Sequence, residues 1–261
     1  MQSKTDKLNL EIIDHTALIT IQNPPANTWD ADSLAGLQDL VEQLNANREI
    51  YALVITGQGD KFFSAGADLK LFADGDKALA RQMARLFGQA FETLSQFRGV
   101  SIAAINGYAM GGGLECALAC DLRIAEEQAQ MALPEAAVGL LPCAGGTQNL
   151  PWLVGEGWAK RIILCGERID AGKALRIGLV EDVVERGESR AAALELAAKV
   201  ANQSPSSVTA CKRLIQAARQ NPLAQALPME RELFVDLFDK EDQKEGVGAF
   251  LDKRKPQWKN R

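Results

Sequence analysis

Strand-length apolar runs alternate with amphipathic, helix-length runs along this chain, and that alternation points to an α/β fold. Two further observations agree with it. Two glycine-rich segments each follow an apolar strand, as at strand-to-helix turns. The last quarter is almost purely helical in pattern, as expected of an appendage packed on the core or on another subunit. The chain has 261 residues, 47% hydrophobic and 24% charged. That is enough to bury one sizeable core, and it excludes a disordered chain, a collagen and a multi-span membrane protein.

The elements follow in order. Residues 11–21, EIIDHTALITI, alternate with Ile13, Ala17, Ile19 and Ile21 on one face, which reads as a single strand carrying His15 on that face. NPPAN turns the chain. Over residues 31–46, Leu34, Leu37, Leu40, Val41 and Leu44 form one helical stripe. YALVITG is a buried strand, GDKFFSAGADLK a loop, and residues 77–97 a long helix. SIAAIN is a second buried strand, GGGLECALAC a short apolar helix and DLRIA another strand. A loop, two short helices and the late strand GLVEDVV follow. From about residue 188 the pattern is helical, broken at Pro205 and Pro222. We therefore expect a core over residues 1–200 and a helical region over 201–261.

Lys and Arg number 29 against 34 Asp and Glu, for a net charge of -5. A mildly acidic chain argues against broad nucleic-acid binding, which needs a cationic surface. The single histidine, His15, would have to serve any His-based triad or metal site, and it reads as a satisfied strand residue. Five cysteines with no CxxC pair read as reduced thiols, and the opening MQSKTDKLN has no apolar stretch. Both lead us to expect a cytoplasmic protein. The uncharged run Gly99 to Leu114 is too short to span a membrane.

The candidate chemistry sits in the glycine-rich segments. SAGADLK (Ser64 to Lys70) and NGYAMGGGLE (Asn106 to Glu115) are not P-loops, because no Gly-Lys-Ser/Thr follows either. Gly111, Gly113 and Cys116 fail the dinucleotide fingerprint at its third glycine. In the second segment the glycines stand where a helix begins, and free N–H groups there suit a developing oxyanion. On spacing alone, a tight strand-to-helix turn packed on the sheet explains the glycines more simply. Glu115 is the only charge between Gly99 and Cys120, and a carboxylate on an apolar helix must be paired or used. It would also suit a first helical turn for its interaction with the dipole. Glu135 is the only charge between Glu127 and Glu156, where Pro-Glu also commonly opens a helix. Two such isolated carboxylates suggest an acid/base pair. Cys116 and Cys120, at i and i+4, read as core packing, and the five basic residues from Lys253 onward read as a solvated tail or a phosphate contact.

SAGADLK, AAINGYAMGGGLE, ALPEAAVGLLPCAGGTQNL, ALRIGLVEDVV and the terminal EDQKEGVGAFLDKRKPQW, in this order and spacing, resemble the enoyl-CoA hydratase (crotonase) family over nearly the whole chain. The resemblance implies a spiral of ββα units with a C-terminal helical region for trimerisation, in a homotrimer or a dimer of trimers. It implies an acyl-CoA thioester substrate, with coenzyme A arriving as part of it and no separate cofactor or metal. The oxyanion hole maps onto the N–H groups of Ala67 and Gly112, and the two acid/base glutamates onto Glu115 and Glu135. Ser64, Ala65, Gly66, Asp68, Leu69 and Gly111 map beside the substrate, and Phe234, Phe250 and Lys253 near the adenine end. The retained pair of glutamates favours hydration of a trans-2-enoyl-CoA, as in fatty acid β-oxidation, over 3,2-isomerisation or another CoA-enolate reaction. It disfavours a non-catalytic RNA-binding or scaffold relative. Two residues depart from the family pattern: Cys143 replaces a usual glycine near the catalytic water, and Asn149 a common arginine.

Overall fold

The computed structural model describes residues 1–261. Strands β1 (Leu8–Ile13), β2 (Thr16–Ile21), β3 (Ala52–Gly57), β5 (Val100–Ile105), β7 (Leu122–Glu126) and β10 (Asp182–Val184) form a six-stranded sheet in the order β1-β2-β3-β5-β7-β10. All its pairings are parallel except the β1–β2 hairpin. A smaller sheet, in the order β4-β6-β8-β9, contains β4 (Phe62–Ser64), β6 (Tyr108–Met110), β8 (Gln130–Ala132) and β9 (Ile169–Asp170). After the β1–β2 hairpin, the pairs β3/β4, β5/β6 and β7/β8 each deliver one strand to each sheet, so the chain winds as a spiral.

The expected single strand over residues 11–21 is two. Asp14, at φ 51°, closes a tight turn that folds β1 antiparallel onto β2. Alternation continues across the turn, so period alone does not reveal the reversal. His15 therefore lies at the hairpin, stacked on Tyr51 with its Nδ1 2.8 Å from the Glu49 carbonyl.

The larger sheet is covered on both faces, which is why its central strands read as continuous apolar runs. Ile19, Leu53, Ile55, Ala103 and Ile105 face α1 (Ala31–Ala46) and α2 (Lys77–Ser95). The alternate residues Leu18, Val54, Ile102, Ala104 and Ile124 face Ala193 and Ala197 of α6 (Ser189–Ala201). Asp30 opens α1 with a capping box shared with Ser33, and Asp76 caps α2. Between the sheets lies α3 (Gly112–Ala119), all eight of whose residues are buried. Cys116 and Cys120 are core residues there, as their spacing suggests, and burial pushes the Cys120 thiol up to about 12. Where two short helices were expected, the chain forms α4 (Gly146–Leu164), kinked at Gly155, and α5 (Ala171–Ile177). No helix is long and apolar enough to cross a membrane.

The C-terminal part comprises α7 (Pro205–Ala217), α8 (Leu223–Asp236) and α9 (Glu241–Leu251). Lys212 ties α7 to the core by donating to the Phe97 and Gly99 carbonyls at 2.6 and 3.0 Å and to Asp121 at 2.7 Å. The basic tail is not loose. Buried Asp242 accepts from the backbone N–H groups of Lys259 and Asn260, while Arg254 pairs with Glu245 and Arg261 with Glu241. Replacing Lys212 with Met would leave Asp121 half-satisfied away from bulk water. We expect Lys212→Met to cost about 2 kcal/mol of stability, checked by urea unfolding.

Candidate active site

The three parallel strands of the small sheet, β4, β6 and β8, all point the same way. The residues that follow them therefore gather at one edge, where ligands bind on parallel sheets generally. After β4 comes the turn Ala65-Gly66-Ala67-Asp68. After β6 comes Gly111 and the start of α3, and after β8 come Pro134 and a short 3-10 helix, Glu135–Val138. Distant parts of the sequence meet here for this reason alone.

Gly66, at φ 89°, makes the β4 turn possible, and a Cβ on it would stand 2.6 Å from the Met110 carbonyl and 3.0 Å from the Gly112 nitrogen. The two glycine-rich segments thus lie backbone against backbone. Trp29 bridges the turn, accepting from Asp68 N–H and donating to the Gly66 carbonyl at 2.8 Å. Neither Ala67 N–H nor Gly112 N–H has a partner within the protein. Ser64 is fully buried and its hydroxyl accepts from Gly66 N–H at 3.1 Å. Asp68 caps the 3-10 turn Leu69–Phe72, and Leu69 is exposed.

Glu115 projects from the buried helix and is 3% exposed. Its Oε1 accepts from Ala144 N–H at 2.7 Å and Gly146 N–H at 2.9 Å. Gly146 is required for the approach, since a Cβ there would stand 3.0 Å from that oxygen. Burial raises the Glu115 pKa, and the two N–H donors pull it back in part. Glu135 has no such support. Both its carboxylate oxygens are buried without a hydrogen-bond partner. Its Oε1 lies over the start of α3, 3.1 Å from where a Cβ on Gly111 would stand. Burial pushes its carboxyl up to about 7, and the charge of Glu115 adds to the rise. Cys143 sits at the exposed mouth, one residue before the Glu115 cradle, and its surroundings and both glutamates push its thiol up to about 11.

The structure thus brings together Ser64, Ala65, Gly66, Ala67, Asp68, Leu69, Gly111, Gly112, Glu115 and Glu135. Phe234 and Phe250 instead stand 63% and 83% exposed on α8 and α9, and Lys253 follows α9 at φ 54°. Within one chain these elements pack with α7 and the turn Leu237–Asp239. Sequence reasoning missed the Ala144–Gly146 cradle. Its signal was the Gly145-Gly146 pair, which supplies the φ of 99° at Gly145 and the close approach at Gly146.

The family model for enoyl-CoA hydratase/isomerase matches residues 11–261. The chain belongs to that family. It is 39% identical to the short-chain-enoyl-CoA hydratase of Clostridium acetobutylicum, over 97% of each chain. A solved structure of DspI from Pseudomonas aeruginosa is 72% identical, covering 98% of this chain and 97% of that one, with a TM-score of 0.96. The crystal structure of an enoyl-CoA hydratase from Bacillus anthracis is 36% identical over 98% of this chain and 100% of that one, with a TM-score of 0.95. The crotonase spiral is therefore the fold.

Glu135 gives a measurable sign. A carboxyl whose pKa stands at about 7 in the folded protein, against 4.5 ordinarily, binds its proton more tightly when folded. Its contribution is fullest below pH 4.5 and is lost as pH rises towards 7. Between pH 5 and 8 the wild type should lose on the order of 2 kcal/mol more stability than Glu135→Gln. Parallel urea titrations of the two proteins at both pH values check this.

Proposed function

We propose that this protein hydrates a trans-2-enoyl-CoA to the 3-hydroxyacyl-CoA, with Glu115 and Glu135 as the acid/base pair. The observation that carries the reading is the nearness of two buried carboxylates to each other and to two unpartnered N–H groups. Ala67 N–H and Gly112 N–H would accept the thioester oxygen between them and stabilise the charge that develops on it. Glu115, whose charged form two backbone N–H groups favour, takes a proton from water. The hydroxyl bonds to the β-carbon, and the electron pair of the double bond moves through the α-carbon onto the thioester oxygen. Glu135, which keeps its proton near neutral pH, then delivers it to the α-carbon as the enolate collapses. The proton that Glu115 took from water then passes to Glu135, which restores both side chains, so the reaction calls for no separate cofactor.

Ser64, Ala65, Gly66, Asp68, Leu69 and Gly111 would flank the pantetheine and acyl chain. Phe234, Phe250 and Lys253 would serve the adenine end across a subunit boundary. This goes with a core over 1–200, a trimerisation region over 201–261, and a homotrimer or dimer of trimers in the cytoplasm. Support comes from the apolar side chains that α8, the following turn and α9 leave in solvent, among them Leu223, Val235, Phe238, Val247 and Leu251. Light scattering should give a trimeric or hexameric mass, and Phe238→Asp should shift it towards the monomer.

Loss of the conjugated enoyl-thioester absorbance with crotonyl-CoA tests the reaction. Glu115→Gln and Glu135→Gln should each lower kcat by roughly 10²–10⁴-fold. The limb of the wild-type kcat profile that reports Glu135 should fall near its pKa of about 7 and vanish in Glu135→Gln. Turnover of 3-enoyl-CoA without hydration would instead assign the site to isomerisation.

A further inference from the structure

Behind the site, three buried aromatic rings connect the two segments that supply the unpartnered N–H groups. We propose that Trp29, Phe91 and Phe87 form a ladder that sets the spacing of Ala67 N–H and Gly112 N–H, which makes them positioning residues for the oxyanion hole. The proposal rests on the reading of those two groups as that hole.

One end of the ladder is a backbone clamp. Trp29 donates to the Gly66 carbonyl and accepts from Asp68 N–H at 3.3 Å, the two groups that flank Ala67. In extended backbone successive groups point to opposite edges, so the clamp turns Ala67 N–H away from Trp29 and towards the site. The Trp29 ring is fully buried, and its indole N–H has no partner. Its contribution is therefore the shape of the ring, not a hydrogen bond.

From Trp29 the ladder runs edge to face. The Trp29 and Phe91 ring centres are 5.6 Å apart at 74°, and those of Phe91 and Phe87 are 5.7 Å apart at 77°. Phe87 and Phe91 share one face of α2 at i and i+4. At the far end the Phe87 Cε1 stands 2.8 Å from where a Cβ on Gly112 would be, while the nearest atom of Gly66 is 3.7 Å from that point. The first residue of α3 is thus seated directly on the Phe87 ring with no slack. Edge-to-face rings in a close-packed interior resist sliding. Removing one rung would let the two N–H groups drift apart, and misplacement by a fraction of an ångström weakens the charge stabilisation they give.

The test uses cinnamoyl-CoA, a conjugated thioester whose absorbance moves to longer wavelength when its carbonyl oxygen is polarised. The wild type should red-shift the bound probe. Phe87→Leu should lose at least about half of that shift and lower kcat on crotonyl-CoA about tenfold, with KM changed less than about twofold. Leu94→Ala, a fully buried truncation further along the same helix, should lower stability and leave the shift intact. Should Phe87→Leu not fold, Phe91→Leu carries the same expectation one rung back. A full shift and full kcat in the folded ladder variant would overturn the ladder and leave the hole standing. No shift in the wild type with bound probe would overturn the hole itself, and the ladder with it.

Discussion

Helix α3 has no solvent face, so its one charged side chain must be satisfied from inside the protein. That constraint organises the surrounding structure. The helix can lie between the sheets only because Gly113 lets it press on the backbone of Ser64 and Gly112 lets it sit on Phe87. Its first N–H groups face the turn after β4, and its glutamate faces the loop before α4. The Ala144–Gly146 segment exists in its particular shape to answer that glutamate with two backbone donors. An ionised carboxylate in such a place would otherwise be driven to its neutral form.

The two glutamates are chemically alike and physically different. Glu115 is the more buried, yet it is held by N–H groups that favour its charge. Glu135 rises to about 7 because burial outweighs the pull of its own backbone N–H, and a like charge nearby adds to the rise. Two environments therefore hold one residue type in two electrostatic states, the arrangement that lets a carboxylate pair divide acid and base work in general. Cys143 stands one residue before the cradle, close enough for both carboxylates to act on its thiol. A thiol pushed to about 11 stays protonated, so it adds bulk and a weak donor to the site without adding charge.

The single chain leaves its C-terminal helices with apolar side chains in water, while the interior is closely packed. The contrast is one of chain context. The hydrophobic runs of the sheet find their partners within the spiral, on both faces. The stripes of α8 and α9 have partners only on the side of α7, and the Arg254–Glu245 and Asp242 contacts secure the tail without covering them.

Much of this was legible in the residues. Strand and helix alternation named the fold class, because a strand buried on both faces must be apolar throughout and a one-sided helix must repeat every three or four residues. Isolated charges in apolar stretches singled out Glu115 and Glu135, because charge is too costly to bury without use. What the residues did not disclose were facts about direction and meeting. The β1–β2 reversal was hidden, because alternation runs unbroken through Asp14. The cradle at Ala144 and Gly146 was hidden, because backbone N–H groups are common to nearly all residues and only their aim distinguishes them. The Trp29–Phe91–Phe87 ladder was hidden, because large aromatic residues read as generic core until α1 and α2 are packed. Residue type determined which groups could do chemistry. The parallel arrangement of β4, β6 and β8 decided which of them stand together, since only the folded sheet brings their C-terminal ends to one edge.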